Sequence, residues 1–194
     1  FNVFTALAIG SIIGSVAAYF GGYVDSILMR LMDVFLAVPQ TLLAISIVAV
    51  LGQGVFNLMI ALCIAAIPKF ARVVRSAMLT VREQEYIEAA KACGTGDIRI
   101  IFRHVMPNAI GPIIVQATLD MATSILSIAS LSFLGLGIAP PTPEWGAMLS
   151  EGKVYMRDYP YLVVFPGLAI VITVLSLNLI GDGLRDALDP RLRN

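Results

Sequence analysis

The chain has 194 residues, of which 58% are hydrophobic and only 13% charged, and its mean hydropathy is +0.88. Soluble domains carry about 25% charged residues, so this composition excludes a soluble globular protein and indicates an integral membrane chain. A formal net charge of zero identifies no partner, and two cysteines with one histidine, His104, offer no metal-ligand spacing.

A bilayer core about 30 Å thick is crossed by about 20 helical residues. Five stretches satisfy this: 1–20, 34–51, 55–71, 109–131 and 161–179. The predicted fold class is therefore all-α, a polytopic membrane helical bundle forming one transmembrane domain over 1–194. The first span opens at Phe1, inside an apolar run and without an initiator Met, which predicts a fragment truncated at its N-terminus. This span carries Ala6, Gly10, Gly14 and Ala18 at four-residue intervals. Such a ridge of small residues lets another helix approach closely, within this bundle or on a sister subunit. Residues 25–33 have helical character and could extend the second span, with Pro39 bending it. The third span is expected to stop at Pro68-Lys69.

The most polar run follows, EYIEAAKACGTGDIRIIFRHVMPN over 85–108. It predicts a short helix over 84–93, a left-handed stop at Gly94 and a second helix over 97–104. Thr95 or Asp97 is the expected N-cap of the second helix, and Thr80 with Glu83 has capping-box spacing. Pro107 is expected to keep the second helix from running into the fourth span.

Within the fourth span, Gln116, Asp120, Thr123, Ser127 and Ser130 fall within an arc of roughly 80°. Two readings fit this face: the wall of a water-lined translocation path, or a set of interhelical hydrogen bonds. Asp120 costs about 2.5 to 3.5 kcal/mol at the centre of a bilayer, so it should face protein or water rather than lipid. The segment 135–151 is stiffened by Pro140, Pro141 and Pro143, which forbid regular helix there. Trp145 suits the membrane–water boundary. The segment could shape an outer mouth or make a structural re-entry into the interface.

Lys and Arg set the orientation. Eleven of the thirteen lie in segments on one side, including Arg30, Lys69 to Arg103 and Arg185, Arg191 and Arg193; two, Lys153 and Arg157, lie on the other. Residue 1 is thus expected outside, with the Glu88 loop and the C-terminus in the cytoplasm. The same bias accounts for the basic residues without nucleic acid, and none is expected as a partner. The chain carries no Walker phosphate loop, nucleophile elbow or His-Glu-x-x-His motif. No catalytic residue, metal or cofactor is expected.

Glu88-Ala89-Ala90, Gly94 and Pro107 stand at the spacing of the EAA loop of permease subunits from bacterial ATP-driven importers, with His104 and Met106 departing from its usual aliphatic residues. Three further blocks agree: YFGGYVDSILMRLMD (19–33), SFLGLGIAPPTPEWGAML (132–149) and NLIGDGLRDALDP (178–190). Over essentially its whole length the chain resembles the second permease subunit of dipeptide and oligopeptide importers, the DppC/OppC type.

The resemblance implies a type I ABC importer core whose cytoplasmic coupling loop covers about 72–107. Its implied partners are a second permease of the DppB/OppB type, two cytoplasmic ATPase subunits and an extracytoplasmic solute-binding protein. Glu88, Ala89 and Ala90 would belong to the docking helix, Gly94 to the turn that aims it and Pro107 to the end of the motif. ATP chemistry would reside in the partners, and the solute would be a peptide, with nickel chelates or glutathione as alternatives within the family. Members normally have one more N-terminal span. Two rivals come from other classes: an ion-gradient-driven carrier using Asp120 as a relay, and a noncatalytic membrane scaffold.

Overall fold

The computed structural model describes residues 1–138 and 141–188. Pro140 and the tail from Asp189 onward, with Arg191 and Arg193, lie outside the described residues. Helices make up the fold, with no strand among the described residues. They are α1 (Asn2–Phe20), α2 (Gly22–Leu36), α3 (Gln40–Leu51), α4 (Val55–Arg82), α5 (Glu85–Ala92), α6 (Asp97–Ile100), α7 (Met106–Phe133), α8 (Trp145–Gly152) and α9 (Tyr161–Leu188). A π-helical turn, Ile101–Val105, joins α6 to α7.

Four helical runs are long and apolar enough to cross a bilayer: α1, α4, the run Asp97–Phe133 and α9. A fifth span results if α2 and α3 count as one, bent by 80°. The expected kink at Pro39 is therefore present. Pro39 precedes α3 with ψ 132, an extended conformation that ends one helical direction before the next begins.

The third span does not stop at Pro68. Helix α4 runs for 28 residues with Pro68 inside it. Proline removes one intrahelical hydrogen bond, but the ring of Pro68 is fully buried and adds apolar contact in its place. Pro107 likewise fails to separate the loop helix from the fourth span. Just before it, the Met106 N–H donates to Ile101 O, five residues back. This wider turn shifts the bonding register, so the ring enters without breaking the helix.

The capping expectations also fail. Thr80 lies inside α4, where its hydroxyl donates to Ser76 O at 3.2 Å, and the N-cap of α5 is Gln84. The N-cap of α6 is Gly96, which has no side chain to cap with, and Asp97, the first helical residue, accepts the Tyr19 hydroxyl instead.

The chain divides into two compact units. Phe1–Val3, Val38–Ala65 and Thr118–Gly181 form the first. Its core is Ala44, Val48, Leu58, Ala61, Leu62 and Leu131. The Asn57 amide closes the α3–α4 hairpin by donating to Leu51 O at 2.7 Å and Gly52 O at 3.1 Å. Gln53 Nε2 donates to Gly135 O at 2.7 Å, beside the turn that ends α7. Helix resumes at Trp145, where the Glu144 carboxylate accepts the Ala147 N–H at 2.7 Å. The proline-rich stretch thus ends in a capped helix.

Phe4–Ala37, Ala66–Ala117 and the described part of Asp182–Asn194, residues 182–188, form the second unit. Its core joins Ala18, Val74, Met78, Ile87, Ile100, Ile101, Val105, Ala109 and Ile113. The small-residue ridge of α1 packs within the chain, against α4. A Cβ at Gly10 would lie 2.6 Å from Phe70 Cβ and 2.9 Å from Ala71 N, so only glycine permits this approach.

Candidate functional site

Helix α5 is short and polar, and eight residues do not hold a helix in water by themselves. One side chain anchors it. Ile87 is fully buried, in the same cluster as Val74, Met78, Ile100 and Val105. The rest of the helix looks outward: Glu85, Tyr86, Glu88 and Ala89 are exposed, and Ala90 is half-buried.

The end of α5 has a defined form. Gly94 adopts φ +78. The Thr95 N–H donates to Ala90 O at 3.1 Å and the Gly94 N–H to Lys91 O at 2.9 Å. This pair of bonds is a Schellman motif, and it satisfies carbonyls that the helix end leaves open. The left-handed stop expected at Gly94 is therefore what the chain uses. Glu88, Ala89, Ala90 and Gly94 sit together on one small module, while Pro107 lies apart on α7.

Tyr19, at the end of α1, grips both sides of this turn. Its hydroxyl donates to Asp97 on α6, and the Lys91 ammonium of α5 lies 5.7 Å from its ring centroid. Arg82, the last residue of α4, donates to Ala18 O at 2.5 Å and Tyr19 O at 3.2 Å. These are carbonyls of the last turn of α1, where a cation is also favoured by the helix dipole. Two ion pairs tie α2 to α4. The Arg75 guanidinium donates two 2.5 Å bonds to Asp25, and Arg72 pairs with Asp33. The loop helix is thus mounted on α1 and α4 by named contacts, none of which spacing in the sequence suggested.

The polar residues of α7 do not share one environment. In the second unit Gln116 is half-buried. In the first unit Asp120 is buried, Ser127 is half-buried, and Thr123 and Ser130 are exposed. The two exposed hydroxyls donate to carbonyls of their own helix, Thr123 to Leu119 O at 3.1 Å and Ser130 to Leu126 O at 2.7 Å. An exposed hydroxyl satisfied in this way faces either water or an apolar medium at little cost. Asn2 Nδ2 donates to Ser124 Oγ at 3.3 Å, linking α1 to α7 within the first unit. Trp145 is partly exposed at the start of α8. No group of three or more His, Cys, Asp or Glu that could hold a metal occurs among the described residues.

Residues 10–194 match the family described as binding-protein-dependent transport system inner membrane component. The chain is 50% identical over 194 residues to the dipeptide transport system permease protein DppC of Alkalihalophilus pseudofirmus, covering all of this chain and 64% of that protein. It is 51% identical over 193 residues to the glutathione transport system permease protein GsiD of Shigella sonnei, with the same coverage. The chain therefore spans 64% of the length of these relatives. Among solved structures, it superposes on a chain of the MetNI methionine ABC transporter in an inward-facing conformation, with a TM-score of 0.73. That match covers 97% of this chain and 91% of the other at 18% identity, a likeness of fold.

Proposed function

The chain belongs to the family of binding-protein-dependent transport system inner membrane components, and from this premise we propose that it is the membrane-spanning permease subunit of an ATP-driven importer for peptides. The observation that carries the reading is α5: a polar helix with Glu88 and Ala89 exposed, held on a rigid mount through Ile87. Small residues on such a face permit close approach of a partner, and Glu88 supplies a carboxylate for a polar or ionic contact. The partners would be two cytoplasmic ATPase subunits, a DppB/OppB-like second permease and an extracytoplasmic solute-binding protein. The Glu88 loop and the C-terminus would face the cytoplasm, with residue 1 outside.

In this mechanism ATP hydrolysis takes place on the partners. Closure of the ATPases draws α5 with them, and the contacts through Ile87, Tyr19 and Arg82 pass the displacement to α1, α4 and α7 as rigid-body motion. Alternating access follows when those helices separate on one side and close on the other. On α7, Thr123 and Ser130 would line the path within the first unit, with Ser127 at its margin. The burial of Asp120 suits a positioning role behind that wall.

Peptide is the solute class best supported by the DppC likeness, and the equal likeness to GsiD makes glutathione, itself a small peptide, the second reading. The test is Glu88→Arg in the assembled importer. Uptake of labelled dipeptide and solute-stimulated ATP hydrolysis should both fall while the amount of protein in the membrane is unchanged. Wild-type values for both would remove α5 from the docking role. Uptake that persists after ATP depletion under a maintained ion gradient would favour a secondary carrier instead.

A further inference from the structure

Beside the Gly94 turn, the second unit carries an open groove lined by Phe20, Ile98, Phe102 and Pro107 together with Arg99 and Arg103. We propose that this groove holds one anionic diacyl phospholipid, with its phosphate between Arg99 and Arg103 and an acyl chain along Phe20, Ile98 and Phe102.

Three observations carry the assignment. The first is the apolar surface. Ile98, Phe102 and Phe20 are 75%, 64% and 60% exposed, although Ile100, Ile101 and Val105 of the same helical stretch are buried. Its buried side is apolar and its outer side carries large exposed apolar side chains as well, which suits a boundary with hydrocarbon more than bulk water.

The second is charge. Arg99 and Arg103 are exposed, and among the described residues neither has an acidic partner. They lie four residues apart on the same outward side as Ile98 and Phe102. The acid in the groove, Asp97, already accepts the Tyr19 hydroxyl. Guanidinium groups match phosphate oxygens in geometry as well as in sign.

The third is position. Phe20 is the last residue of one candidate span, and Pro107 lies in another, at the polar end of its apolar run. The groove thus stands where hydrocarbon gives way to the polar loop, the depth at which a phospholipid presents its phosphate. Clustered basic side chains at that depth are a recurring means of holding anionic headgroups.

The test uses the complete importer in nanodiscs of phosphatidylglycerol or phosphatidylcholine. Arg99→Gln with Arg103→Gln should weaken the preference for phosphatidylglycerol by about 30-fold, from about fivefold per arginine at a membrane surface, as read by native mass spectrometry. Arg157→Gln, in the segment on the other side of the charge bias, should leave it unchanged. Independently of those variants, p-benzoylphenylalanine at position 102 should photo-crosslink to phospholipid. Unchanged preference in the double variant would overturn the proposal, as would cross-linking at 102 to another protein subunit alone. Neither result depends on transport, so failure here leaves the coupling role of α5 standing.

Discussion

Gly94 isolates backbone conformation from every other effect. Its φ is +78, and an added Cβ would find no atom within 4 Å, so a substitution there costs conformational strain and no steric overlap. An ordinary L-residue in the left-handed region costs roughly 1–2 kcal/mol. Asparagine tolerates the region better, and a β-branched residue such as valine fares worse. That range shifts the closed turn relative to the open one by about 5- to 30-fold. The order of damage should therefore be Asn, then Ala, then Val. Two measurements check it in the assembled importer. Hydrogen exchange of the Thr95 amide, bonded to Ala90 O at 3.1 Å, should accelerate in that order by about 5- to 30-fold at Ala. Uptake per ATP hydrolysed should fall in the same order. A Val variant exchanging at the wild-type rate, or an Asn variant as impaired as Val, would refute the reasoning.

Three other substitutions probe the mount. Ile87→Ala removes a fully buried anchor and should cost about 2–5 kcal/mol locally; tryptic cleavage after Lys91 should speed up markedly, and wild-type resistance would show that α5 is held some other way. Tyr19→Phe keeps the ring beneath Lys91 and deletes the bond to Asp97, a loss of roughly 1.5–3 kcal/mol for a hydrogen bond to a charged group. In a double-mutant cycle with Asp97→Ala the two changes should be strongly non-additive in loop protection, and simple additivity would argue against the contact. Gly10→Leu forces side-chain atoms into Phe70 and the backbone of Ala71 and should lower the Tm of the purified complex by several degrees. Gly111→Ala, whose Cβ would meet nothing nearer than Leu188 at 3.8 Å, should leave the Tm unchanged.

The parts legible in the sequence were those that depend on neighbours along the chain. Apolar length marked the four long spans, Pro39 marked the break between α2 and α3, and Gly94 marked a helix stop, because hydropathy and backbone preference are local properties. The same local rules misjudged Pro68 and Pro107. A buried ring and a π-helical turn kept both helices continuous, and neither compensation is written in the residues beside the proline.

The small residues of α1 showed that some helix would come close, but not which one. Only the packed chain identified α4, through the positions of Phe70 and Ala71. For the loop, the residues that would touch a partner stood out as a motif, whereas those that hold the loop in place did not. Tyr19 and Asp97 are 78 positions apart and Arg82 reaches carbonyls 63 and 64 positions away. Composition together with the length of the apolar runs determined that the chain lives in a bilayer and is built of helices, since backbone groups must pair within hydrocarbon and runs of about 20 residues fit helices rather than strands. Which helices touch, and which side chains carry the polar helix between α4 and α7, was decided by tertiary packing, where contact depends on geometry in three dimensions and not on order along the chain.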